Sequence, residues 1–191
     1  MNGSKNRNKI LYESKLIASV RFKKKTENSR SSSIYSSILS DLTHDLERKI
    51  NDKDFLGLID LLVVSQKHDA NFFPKRDNSS FDLVVAMENL KERYLEGLNP
   101  DKVKNKFSEI AEELKLQRVI DKNFATDVRS ISRIIGGYTS PRLSYAENRY
   151  YETQQNALLA IGREHQKNID RAMGYEPAKN KGQSKDKGIS R

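Results

Sequence analysis

A chain of 191 residues with 35 Lys and Arg against 26 Asp and Glu, 36% hydrophobic and 32% charged, holds apolar material for one modest core. Its lack of cysteine excludes a disulfide framework, a thiol nucleophile and any cysteine-ligated zinc or iron–sulfur site. The longest apolar run, residues 59–64 broken by Asp60, falls far short of the roughly 20 residues that span a bilayer, so no membrane partner is expected.

The formal charge of +9 is not spread evenly. Residues 1–30 hold nine Lys and Arg and two acids, and residues 176–191 hold five and two. The body, residues 31–175, holds 21 bases and 22 acids and is nearly neutral. Both ends are rich in Asn, Ser and Gly and bury too little apolar surface to offset the entropy of ordering, so the composition predicts disordered basic arms on a helical domain. Within the first arm, residues 17–22 alternate apolar and polar side chains, the pattern of a short strand or of a segment that orders on a partner. The apolar stretch at 16–20 leads straight into Arg21, Lys23, Lys24 and Lys25. That is a poor secretory signal, and a cytoplasmic protein is expected.

From Ser31 onward the apolar spacing is helical. Ile34, Ile38, Leu42 and Leu46 recur every four residues behind three serines that offer N-caps. After Asn51 and Asp52, the run from Phe55 to Val64 is apolar on nearly every side except Asp60, which predicts a helix at the centre of a small bundle. Residues 67–80 read as a loop ending beyond Pro74. Ser79 and Asp82 open a third helix with the stripe Leu83, Met87, Leu90 and Tyr94, closed by Gly97. Asn99 and Pro100 cap a fourth, whose stripe is Val103, Phe107, Ile110, Ala111 and Leu114. Thr126 or Asp127 caps a fifth, carrying Val128, Ile131, Ile134 and Ile135 and stopped by Gly136 and Gly137; Val119, Ile120 and Phe124 would form a turn of their own. Ser140 and Pro141 repeat the cap-plus-proline pattern and open a long last helix over 141–174, roughly 50 Å at 1.5 Å per residue. Its apolar content is thin, and any seam must accept Gln154, His165 and Asn168. A helix projecting past the bundle and offering itself to a partner is expected. The fold class that results is all-α, a small bundle of five to six helices.

The chemistry-bearing residues cluster late in the chain. Arg129, Ser130 and Arg133 fall on the outer side of the fifth helix, donors suited to phosphates and base edges, with the fourth helix as the supporting member of a helix-turn-helix pair. Lys115 stands where that turn favours glycine and Asp121 where it wants an apolar residue, so the connection would be a long one. Beyond it, Arg133, Tyr138, Arg142, Tyr145, Arg149 and Tyr150 interleave cations with rings that can stack on bases. The plainer account of these residues is an amphipathic helix with solvated arginines, followed by tyrosines that pack the last helix onto the body.

Enzymatic patterns are weak. His44-Asp45 and His68-Asp69 are isolated pairs, and no phosphate-cradling glycine loop or strained nucleophile turn is present. No cofactor or metal is expected. The sequence therefore points to a non-enzymatic nucleic-acid-binding protein, with DNA favoured over RNA, in a regulatory or nucleoprotein-assembly role. Arg129, Arg133, Arg142, Arg149 and the arm residues Lys23, Lys24 and Lys25 are the expected phosphate or base contacts, and Tyr138 and Tyr150 the stacking residues. The alternative is a structural or adaptor subunit of a larger protein or ribonucleoprotein complex, docking a partner or a second copy through residues 141–174.

Overall fold

The computed structural model describes residues 30–72 and 82–175. Among these the chain forms six helices: α1 Arg30–Asn51, α2 Phe55–Phe72, α3 Leu83–Gly97, α4 Pro100–Leu114, α5 Lys122–Gly136 and α6 Tyr145–Ala172. The all-α expectation is met. The expectations for the basic arms, including the alternating segment at 17–22 and Lys23, Lys24 and Lys25, lie outside the described residues.

Three helix boundaries differ from the sequence reading, each for a local reason. Helix α2 continues through Lys67 to Phe72 because its polar residues are received by the fold instead of by water. Gln66 donates to Gln154 Oε1 at 2.6 Å, and Ser65 and His68 are fully buried. Helix α5 starts at Lys122, a turn earlier than expected, because buried Asp121 caps it and accepts the Phe124 N–H at 3.1 Å. Thr126 then lies inside the helix, its hydroxyl donating back to Lys122 O. Helix α6 starts at Tyr145, where Ser144 and Glu147 form a reciprocal capping box. Ser140 and Pro141 sit in a separate turn, in which Asn148 exchanges hydrogen bonds with the backbone of Ser140.

The long helix does not project. Among the described helices α6 touches each of the other five, and its buried residues run from Tyr150 to Ala172. The polar seam that looked unsuited to a core is the seam that is buried: Gln154 is paired with Gln66, and His165 with Asp121 at 3.2 Å. Each thus has one fixed partner elsewhere in the fold, which offsets part of the desolvation cost, while Gln154 Nε2 and His165 Nδ1 are buried without a hydrogen bond. Helix α2 is as deeply buried as expected, but the hub is α6.

Two apolar clusters result. The larger joins α1, α2, α3, α5 and α6 around residues such as Leu46, Leu62, Met87, Ile131 and Leu158. The smaller holds α4 through Val103 and Phe107 against Val119, Ile169 and Ala172.

Candidate nucleic-acid interface

Helix α5 is placed by its inner face. Phe124, Val128, Ile131 and Ile135 are buried against α6 and α3, and Val128 lies close enough to α6 that a Cβ on Gly162 would meet its methyl at 3.4 Å. The opposite face is then fixed. Lys122, Thr126, Arg129 and Arg133 occupy i, i+4, i+7 and i+11 and are all exposed, a row about 16 Å long. The helix has one acid, Asp127, and Arg93 of α3 pairs with it. Among the described residues no ion pair involves Lys122, Arg129, Arg133 or Arg142, whereas Arg93, Arg118, Arg149 and Arg171 are each held by a carboxylate.

The N-terminal end of this row is anchored by a buried charge cluster. Burial pushes the Asp121 carboxyl up, but hydrogen bonds from His165 and from the Phe124 N–H, with the nearby Lys106 charge, outweigh it and hold the group at about 2, below its ordinary 3.8. His165 stacks on Phe124 with ring centroids 3.7 Å apart, and Arg93 lies over the Phe124 ring at 5.7 Å. The carboxylate thus ties the start of α5 to α6.

The other expected site residues separate. Arg142 is exposed in the turn that follows α5. Arg149 faces α1, where its guanidinium donates to both carboxylate oxygens of Glu47, at 2.9 and 3.2 Å. Since α1 and α5 make no contact, Arg149 does not belong to the α5 row. Tyr138 is half-buried and packs edge-on against Tyr151, centroids 5.6 Å apart. Tyr150 is fully buried, its hydroxyl donating to Ser65 O at 3.3 Å. Burial pushes that phenol well above its usual range, and neither face of the ring is open to a base. Lys23, Lys24 and Lys25 lie outside the described residues.

The helix-turn-helix expectation is overturned. Helices α4 and α5 make no contact with one another: α4 packs on α3 and α6, and α5 on α3 and α6 from another side. The connection at 115–121 is long enough to swing α4 away, and its own burial of Val119 fixes that course. Lys122 was missed as a member of the cationic row because the sequence reading began the helix at Thr126 or Asp127. The available signal was Asp121, an N-cap residue directly before it.

A cleft of about 200 Å³ lies between α1 and the start of α6, lined by Ser40, His44, Glu47, Tyr145 and Arg149. Its arginine is neutralised by Glu47 and it carries no net positive charge to attract a phosphate. His68 and Asp69 are buried 3.3 Å apart, while His44 is exposed and Asp45 pairs with Arg48. Among the described residues no three His, Asp or Glu side chains gather as a metal ion requires, and no helix is long and apolar enough to cross a membrane. No protein family, curated protein or solved structure matches the chain.

Proposed function

We propose that the protein binds nucleic acid without catalysing a reaction, holding duplex DNA through its phosphates in a regulatory or nucleoprotein-assembly role. The observation that carries this reading is the row Lys122, Arg129 and Arg133 on α5, cations without acidic partners on a helix whose one acid is already neutralised. In a body of nearly zero net charge such a row concentrates positive potential on one face. Arg142 extends it into the next turn, and the basic ends supply further counterion release. Contacts of this kind position a duplex and carry little base information. Duplex is favoured over single strands because the row carries no open ring: Tyr150 is buried, Tyr138 is packed on Tyr151, and the exposed Tyr145 stands beside Arg149 at the cleft against α1.

The test is binding of the full chain to labelled duplex DNA, single-stranded DNA and RNA across a salt series. Replacing Arg129, Arg133 and Arg142 together by alanine weakens binding and flattens the plot of log K against log salt, by about 0.9 for each duplex phosphate contact removed. Arg149→Ala leaves the slope unchanged, because that guanidinium is committed to Glu47. Absence of salt-dependent binding by the wild-type chain, or an unaltered slope in the triple variant, overturns the proposal. The adaptor alternative, docking through residues 141–174, has less support because the buried positions of α6 extend along the helix and are filled by its own bundle.

A further inference from the structure

Helix α4 is the least covered of the six, and the pattern of what it leaves open is specific. Its apolar stripe is used over only half its length. Val103 and Phe107 are buried in the smaller cluster, but Ile110 and Leu114, the next residues of the same stripe, are 41% and 60% exposed. Leu116 and Ile120 in the following connection are 43% and 52% exposed, so four large aliphatic side chains open to solvent lie within eleven residues. Single exposed leucines are ordinary; a local concentration rimmed by charge marks an interaction surface.

The charge beside this stripe selects the occupant. Lys102, Lys106, Glu109 and Glu113 stand at i, i+4, i+7 and i+11, one row of the helix, and all four are exposed. The row reads two cations followed by two anions, symmetric about the point between Phe107 and Ser108. Among the described residues Lys102, Glu109 and Glu113 form no ion pair, and Lys106 reaches Asp121 only at 4.0 Å. A copy of the helix laid antiparallel against this row sets Lys102 opposite Glu113 and Lys106 opposite Glu109, twice each. That is the self-complementarity a two-fold interface requires, in which one patch serves both partners.

We propose that two copies of the chain associate about a two-fold axis at the middle of α4, with the antiparallel helices in register by these four charges and Ile110, which borders the row, removed from water in each copy. Exposed ion pairs contribute little energy, so the charges set direction and register while Ile110 of each copy adds apolar contact beside them. This surface is separate from the α5 row, and self-association stands or falls independently of nucleic-acid binding.

The experiment is sedimentation equilibrium of the full chain over a concentration series without nucleic acid, for wild type and two charge-reversed variants. K102E/K106E makes the row entirely acidic and E109K/E113K makes it entirely basic; each is expected to sediment as a monomer at concentrations where the wild type is a dimer. An equimolar mixture of the two variants restores the dimer, because acidic then faces basic at all four positions. Both variants change exposed side chains, and the mixture requires folded protein, so loss of fold is distinguishable from loss of contact. A wild-type chain that stays monomeric, a reversed variant that still dimerises alone, or a mixture that stays monomeric overturns the proposal.

Discussion

At the scale of single residues, Asp121 does the most. It caps α5 through the Phe124 N–H, pairs with His165 on α6, and lies within 4.0 Å of Lys106 on α4 and of Arg93 on α3. Asp121→Ala removes the cap and strips buried His165 of its partner, an expected loss of about 2–4 kcal/mol in urea unfolding at neutral pH. The effect depends on pH in a fixed direction. Since the folded carboxyl sits at about 2 and the unfolded one near 3.8, its stabilisation is complete above the higher value and is lost as the pH falls through the lower. The gap between wild type and variant therefore narrows on acidification. His165 also constrains a glycine: a Cβ on Gly97 would stand 2.5 Å from its Cε1. Gly97→Ala is expected to cost about 1–3 kcal/mol by overpacking, and to cost much less in a His165→Ala background, a non-additivity that a double-mutant cycle reads directly.

At the scale of elements, the helix starts decide which residues face where. Helix α6 carries two cap-like serines upstream, and only one of them caps. Ser144 accepts from Glu147 N–H while Glu147 accepts from Ser144 N–H, whereas the Ser140 hydroxyl accepts from Arg142 N–H inside a turn. Ser144→Ala is expected to lower stability by about 1 kcal/mol and Ser140→Ala by only a few tenths, compared by thermal unfolding. The same logic explains α5. Its interior positions Val128, Ile131 and Ile135 were legible from their spacing, and with them the outward direction of Arg129 and Arg133. Its contact partners were not legible. Periodicity gives the buried face of a helix but not which helix covers it, so the reading that paired α4 with α5 failed on tertiary contacts that leave no mark in either stripe.

At the scale of the molecule, α6 is the axis around which the others are arranged, and α4 is the outlier held by the smaller cluster. Elements with few buried contacts open first. In dilute protein, where self-association is absent, amides of α4 are expected to exchange with solvent faster than those in the middle of α6, as measured by hydrogen exchange. A uniform rate across both helices would mean that the smaller cluster is as cohesive as the larger.

The sequence alone determined the all-α class, the stripes of α1, α3 and α4, and the cap at Asn99, because these rest on interactions between residues a few positions apart. At α3 Asp82 itself is the N-cap, where the capping-box reading puts it three residues inside a cap at Ser79, which lies outside the described residues. The sequence also located Arg129 and Arg133 on α5, but not Lys122. The tertiary structure decided what those signals could not reach. Whether Gln154 and His165 mark a solvent-facing seam or a core depends on Gln66 and Asp121, residues 88 and 44 positions away. Whether a tyrosine is a stacking surface or a core residue depends in the same way on what packs against it: Tyr145 is 79% exposed and Tyr150 is buried, with nothing in their own side chains to distinguish them. Polar and amphipathic residues are compatible with either environment, and only the partners brought to them across the fold settle which one they occupy.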